Sequence, residues 1–349
     1  MDPTRWPALR GALFALFAAT LFGISTPLVQ RAGVGLGPFS TAALLYGGAA
    51  LLGVLMRRSI EREAAVHRGD LGRLALMALF GAGLGPVALA WGLQHTSGTS
   101  ASLMLAVEAL FTALLAWALY REVMDRRVWT AMLLLLAGGV ALVLDRGLQG
   151  DAQWLGLLAV LGATAAWGVD NTLSRGLAER DPAQVVLGKS VLGAFGTGLL
   201  ALVANEPLPG LTAVMALLAI GASGYGLSLR LYLLAQREFG AARTGSVFAF
   251  APFIGAVLAV ALGDRSLSWG MAAGAALMLA GVALHLAESH GHEHEHDALE
   301  HEHAHTHDDG HHLHVHDPMP RGPHSHWHRH EPQLHSHAHV PDAHHLHRH

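Results

Sequence analysis

"LFGISTPL" (Leu21–Leu28) and "AWGVDNTL" (Ala166–Leu173) decide the fold, because each reads as a version of the other. Both lie in long apolar runs, both set a bulky aromatic before a glycine, and both turn polar soon afterwards. A second pair, "AGGVALVL" (Ala137–Leu144) and "LAGVALHL" (Leu279–Leu286), follows at about the same separation. The chain therefore reads as one five-helix unit written twice. Five is odd, so the second unit sits upside down in a membrane.

The composition says that a membrane is the solvent. Of 349 residues, 52% are hydrophobic and 14% charged, against roughly 25% charged in a soluble domain. Upstream of Glu288 the chain is mostly uncharged runs of Leu, Ala, Gly and Val. The formal charge of −4 carries little meaning when 26 histidines can titrate near neutrality. The chain has no cysteine, which excludes disulfides, thiolate metal sites and thiol catalysis. Gly11–Val29, behind Arg5 and Arg10, is too long for a signal-peptide core and is followed at once by another apolar run, so it reads as a first span.

A span needs about 20 apolar residues. Ten such runs cover approximately 11–30, 38–56, 72–93, 99–120, 127–145, 154–174, 184–204, 211–234, 242–262 and 269–287. The predicted fold is an all-α integral membrane protein of ten transmembrane helices in a 5+5 inverted repeat. Its units are residues 10–145 and 152–287, followed by a disordered His-rich tail, 288–349.

Arginine placement supports the inversion. With the N-terminus inside, the inside loops carry Arg57, Arg58, Arg62, Arg68 and Arg73, then Arg121, Arg126 and Arg127, then Arg175 and Arg180, then Arg237 and Arg243. The outside loops carry only Arg31, Arg146 and Arg265. Corresponding loops swap bias: "QHTSGTS" (Gln94–Ser100) has no basic residue, whereas its counterpart "QREFGAARTG" (Gln236–Gly245) has two. This is the positive-inside pattern on an inverted repeat. It predicts a multi-pass protein of the inner (plasma) membrane with both termini, and so the tail, in the cytoplasm.

The two repeats, "LFG" and "AWG" in helices one and six, and "ALFTALLAWALYRE" (Ala109–Glu122) closing helix four resemble the EamA-type transporters of the drug/metabolite transporter superfamily. The resemblance covers roughly residues 10–287. It implies a secondary transporter, mostly an exporter, with a central cavity between the repeats. Two places depart from the family pattern: "VEAL" (Val107–Leu110), where Pro is usual, and "ALGDR" (Ala261–Arg265), where "GE" is usual.

Inverted-repeat transporters bind near the midplane at interrupted helices. "GAGLGP" (Gly81–Pro86) in helix three and "GASGYG" (Gly221–Gly226) in helix eight fit that description, or else serve close packing through small residues. Ionisable groups inside spans cost about 2.5–3.5 kcal/mol each at the centre on insertion scales, which marks out Glu108, Asp170, Lys189 and Arg230. Met104 and Thr112 share the helical face of Glu108, and Asn171 adjoins Asp170. One reading pairs the two acids with Lys189 and Arg230 as neutralising ion pairs; the other makes a carboxylate the cation or proton site. The two readings are compatible. His95, at the outer end of helix three, is either an interfacial residue or an exit-side ligand.

The tail opens with "HGHEHEHDALEHEHAHTHDDGHH" (His290–His312). It is polar and nearly free of large apolar residues, which predicts disorder. Its histidines alternate with Glu, Asp, Ala and Thr over a long stretch, unlike an affinity tag. Neutral imidazole suits Ni²⁺, Zn²⁺, Co²⁺ and Cu²⁺. The predicted ligands are His290, His292, His294, His296, His301, His303, His305, His307, His311, His312, His314 and His316. The other uses open to such a tail are pH buffering and protein contact. As a coil it would reach roughly 40–45 Å, enough to enrich metal at the cytoplasmic mouth of a cavity.

The expected function is proton-coupled export of a divalent transition metal. The preference for Ni²⁺ or Co²⁺ over Zn²⁺ comes from resemblance to nickel- and cobalt-resistance exporters with His-rich C-termini. The alternatives are an exporter of amino acids or small metabolites, and a membrane-tethered metal store or sensor. No nucleotide-binding GxxxxGK[ST] motif and no enzyme motif is present. No tightly bound cofactor and no nucleic-acid partner is expected; the partners are membrane lipid and metal ions, with a homodimer left open.

Overall fold

A computed structural model describes residues 5–56, 65–120, 124, 126–148, 153–177, 180–239, 241–286 and, in the tail, 290–296, 299–305, 324–330 and 333–339. Upstream of the tail these residues are helical rods. They comprise α1 (Arg5–Ala32), α2 (Pro38–Leu55), α3 (Arg68–His95), α4 (Gly98–Met104 and Glu108–Tyr120, joined by a 3₁₀ turn, Leu105–Val107) and α5 (Arg126–Leu148). The second repeat supplies α6 (Gln153–Ser174), α7 (Pro182–Val203), α8 (Leu211–Ile220 and Ser228–Phe239, joined by a π-helical segment, Gly221–Leu227), α9 (Ala241–Phe248 and Ala251–Ala261) and α10 (Trp269–Leu286). Seven rods among the described residues, α1 to α5, α7 and α8, are long and apolar enough to cross a membrane. α6 carries Asp170 and Asn171 inside it, and α9 is broken at Ala249 and Phe250.

Interruptions fall at corresponding places in the two halves. α3 widens into a π-helix over Ala78–Leu84, as α8 does over Gly221–Leu227. In α3 the cause is legible: Pro86 has no N–H to donate back one turn, and its ring crowds the carbonyl four residues earlier, so the winding loosens. α4 and α9 break at matching positions too.

Each rod packs most closely against a rod of the other repeat. α2 lies on α7, and α5 on α10; α1 packs on α8 and α9, as α6 packs on α3 and α4. Exchanging each helix with the one five places on leaves this pattern unchanged. The glycines of the two opening motifs show why it is so tight. A Cβ on Gly23 would strike the Ala251 carbonyl oxygen of α9, and one on Gly168 would lie 2.7 Å from Phe111 Cβ of α4. Each "G" is thus the contact point of its helix with the broken helix of the opposite repeat.

The loops gather at two ends. At one end, Gln94 Nε2 donates to Leu36 O (2.8 Å) and Gln30 Nε2 to Leu93 O and Thr96 O (both 2.9 Å). There Glu206 caps α2, accepting from Phe39 N (3.0 Å) and Ser40 N (2.7 Å). Gly263, at φ 104°, reverses the chain after α9 so that Asp264 reaches Thr99 at the head of α4. At the other end Arg180 Nε meets Asp70 at 3.0 Å and Val66 N donates to Gln184 (3.1 Å).

The tail corrects an expectation. In place of a disordered coil, four strands are present: β1 (His290–His296), β2 (Leu299–His305), β3 (His324–His330) and β4 (Gln333–His339). β1 pairs antiparallel with β4, and β2 with β3. Alternating His-x-His has the two-residue period of a strand, a local preference that the composition does not register.

Candidate functional site

The widened turn of α3 is the floor of the site. The Gly81 carbonyl accepts two side-chain hydrogen bonds, from Tyr46 Oη of α2 (2.5 Å) and Trp167 Nε1 of α6 (3.0 Å). Gly81 also lies so close to α6 that a Cβ there would strike the Asp170 carboxylate. The glycine run of α3 therefore does two things: it frees a carbonyl and lets Asp170 approach the backbone.

Asp170 and Lys189 form a buried ion pair, 5% and 3% exposed, in which Lys189 Nζ donates to Asp170 Oδ2. Asp170 Oδ1 is buried and has no hydrogen-bond partner. Buried polar atoms are nearly always satisfied, so this oxygen is the open valence of the site. Thr112 Oγ1 is likewise buried without a partner. Glu108 is half-buried and starts the second piece of α4, where Asn171 Nδ2 donates to its Oε1 at 2.6 Å. Asp170 and Asn171 thus hold the two charged groups from adjacent positions of one helix.

Aromatic rings surround these charges. Phe22 lies edge-on to Trp167 (5.8 Å between centroids) and Tyr225 (5.9 Å), and Tyr46 meets Tyr225 at 5.6 Å. Phe22 and Trp167 occupy equivalent places in the paired motifs, so the ring pair spans the repeat interface. Phe248, at the break in α9, continues the wall to Phe22 (5.4 Å) and Tyr232 (5.0 Å). Three of the chain's four tyrosines, Tyr46, Tyr225 and Tyr232, gather here. Sequence reading passed over Tyr46, Trp167 and Tyr225 as site residues, since nothing in the sequence links them.

The predicted site residues divide. Glu108, Asp170, Asn171 and Lys189 come together. Arg230 does not: its Nη1 donates to the Met56 carbonyl at the end of α2 (3.1 Å), so it pairs with neither acid. Met104 is fully buried in the apolar core beside Gly139. His95 is exposed, stacks on Trp91 with centroids 4.0 Å apart, and hydrogen-bonds through Nδ1 to the Trp91 carbonyl (2.7 Å), an interfacial arrangement. Of the tail ligands, His290, His292, His294, His296, His301, His303 and His305 lie in β1 and β2. His307, His311, His312, His314 and His316 lie outside the described residues, as do Arg121 and Glu122. Among the described residues of the helices no three His, Asp or Glu side chains converge as a metal cage.

The arrangement offers one unpaired carboxylate oxygen, a second carboxylate held by an amide, and an ammonium that can leave its partner. Placed between interlocked repeats at interrupted helices, it is the build of a membrane transporter. The chain belongs to the EamA-like transporter family, whose model matches residues 9–144 and again 154–287. It is similar to an uncharacterized transporter of Methanothermobacter thermautotrophicus, 28% identical over 297 residues, covering 78% of this chain and 85% of that one. It also resembles an uncharacterized transporter of Clostridium kluyveri, 21% identical, covering 80% of this chain and 94% of the other. A crystal structure with 21% identity superposes with a TM-score of 0.59, covering 78% of this chain and 94% of that one. The protein is therefore a multi-pass membrane transporter built from two copies of one unit.

Proposed function

We propose that the protein exports a divalent transition metal from the cytoplasm across the plasma membrane, exchanging it for protons by alternating access between the two repeats. The observation that carries the transport step is the Asp170–Lys189 pair with its unpartnered Oδ1. An ion pair held out of water is costly, and a cation or proton that takes Asp170 releases Lys189. Glu108 supplies the second carboxylate. The His-rich tail argues for the cargo, since imidazole favours Ni²⁺, Co²⁺ and Zn²⁺. The ten-span, inverted topology with both termini cytoplasmic rests on the arginine distribution and on the exchange symmetry of the packing.

A second reading has its own support. Asp170 and Lys189 present a carboxylate and an ammonium side by side within an aromatic wall, which suits a zwitterionic metabolite such as an amino acid. One experiment separates the two. Cells carrying the chain are loaded with Ni²⁺, Co²⁺ or Zn²⁺, and retained metal is compared with that in cells carrying Asp170→Asn. Lower metal retention with the native chain only is the expected result. Equal metal retention alongside Asp170-dependent loss of a labelled amino acid would establish the second reading instead.

A further inference from the structure

We infer that the tail is two histidine-runged ribbons which metal closes, so that its load sets its reach. The inference rests on the reading of the tail as a metal collector. The backbone register carries it. In the first ribbon His290 stands opposite His339, His292 opposite His337, and His294 opposite His335. In the second, His301 stands opposite His328, His303 opposite His326, and His305 opposite His324. Opposed residues share a face, as do residues two apart. Each ribbon therefore has three His–His rungs stacked on one face.

The spacing fits ligation. Opposed Cβ atoms lie about 4.5–5.5 Å apart, and successive rungs are separated by about 7 Å of strand. Two neighbouring rungs thus set four histidine positions around one space. Zn²⁺ takes four ligands in a tetrahedron at about 2.0–2.1 Å from each imidazole nitrogen, and Ni²⁺, Co²⁺ and Cu²⁺ accept the same donors. The register is specific: a slip of one residue in either ribbon would leave no histidine opposite another. The opposite face of the second ribbon pairs Glu300 with Arg329 and Glu302 with Trp327, so charge complementarity favours the same alignment.

Energetics make metal the closing agent. A lone two-stranded ribbon is marginal in water, and joining β1 to β4 closes a long loop. With almost no apolar surface to bury, the tail has no other large term to offset that ordering, whereas metal ligation contributes directly to folding. Unclamped by metal, such marginal ribbons open readily, and an opened tail reaches farther, roughly 40 Å as a coil. Loaded, it closes into ribbons close behind the end of α10, because β1 begins at His290 and α10 ends at Leu286.

The native chain lacks cysteine, so Gly291→Cys with Ala338→Cys gives the full-length protein a unique pair of spin labels on opposed residues of the face without histidines. Dipolar spectroscopy in detergent, with diamagnetic Zn²⁺ as the metal, should show a broad distribution in chelator and a narrow distance below about 20 Å with Zn²⁺. Replacing His292, His294, His335 and His337 by Ala should abolish that closure and lower the zinc stoichiometry. A Glu302→Cys, Trp327→Cys pair in the same background should still close. Full zinc stoichiometry with a distance that stays broad would overturn the ribbons and leave the collector reading standing. A narrow distance already present in chelator would overturn the metal dependence. Absence of zinc binding would overturn both the inference and the collector reading.

Discussion

Lys189 donates to one carboxylate oxygen of Asp170 and leaves the other, equally buried, with no partner. A purely structural ion pair would satisfy both oxygens, because each unsatisfied buried acceptor costs about 1–3 kcal/mol. Under the proposed transport step the free oxygen is where cargo or proton would bind. Removing one member strands the other charge, at a cost of about 3–5 kcal/mol. Asp170→Asn and Lys189→Met should each reduce the yield of monodisperse protein on size-exclusion chromatography. The double variant should recover yield and remain without transport in proteoliposomes. A double variant that transported at the native rate would show the pair to be structural only.

Close approach of the repeats yields a second test. Gly168 faces α4 with no room for a Cβ, whereas Gly162, on the same helix, has open space there. Gly168→Ala should lower the melting temperature, through a clash worth on the order of 1–3 kcal/mol. Gly162→Ala should leave it unchanged or raise it slightly, since Ala favours helix. Equal effects at the two positions, read by thermal shift in detergent, would contradict the packing described.

What the sequence made legible follows from what local pattern encodes. The repeat showed in "LFG" and "AWG" because each glycine is a packing contact that the exchange of halves reproduces. That buried acids and bases would neutralise each other was one of the two readings the sequence left open, and nothing in it said which acid meets which base. Arg230 was grouped with the acids on charge balance alone, which does not register that a backbone carbonyl at the end of α2 can take its guanidinium. The aromatic wall was illegible because its rings come from helices distant in sequence and carry no periodic signature. In the tail, composition argued for a coil, and the two-residue period that His-x-His shares with a strand was not weighed.

The clasp between Asp264 and α4 predicts a pH response. Partial burial pushes the Asp264 carboxyl up, but hydrogen bonds from Ser266 and Thr99 outweigh it and hold it down at about 2. A depressed carboxyl stabilises the fold above its unfolded value of about 3.9, and that contribution fades only as pH falls toward 2. The clasp should therefore persist unchanged between pH 5 and 8. Asp264→Asn weakens hydrogen bonds to a charged acceptor, and should cost on the order of 1 kcal/mol at this partly exposed site. Melting curves of the native protein and the variant should differ by a constant offset across pH 5–8. An offset that vanished at pH 5 would mean that Asp264 titrates near neutrality and that the clasp opens in mild acid.

The final prediction separates the carrier from the collector. Glu108 sits where α4 restarts, held by Asn171 at 2.6 Å. Glu108→Gln keeps the size and can keep that hydrogen bond, since the Gln carbonyl accepts as a carboxylate oxygen does. The substitution removes only charge, so the protein should reach the membrane in normal amount. If a carboxylate there carries cargo or proton, metal resistance should be abolished at every metal concentration. Truncation after Glu288 removes the histidines and leaves the bundle whole. Resistance should then weaken mainly at low metal, where local enrichment near the cytoplasmic mouth matters, and approach the native level once bulk metal saturates the site. Growth curves over a metal series for the two variants, with membrane abundance measured by blot, give the comparison. The reverse outcome, Glu108→Gln harmless and truncation fatal at all concentrations, would mean that the membrane bundle is an anchor for a metal-binding tail and that no metal passes through it.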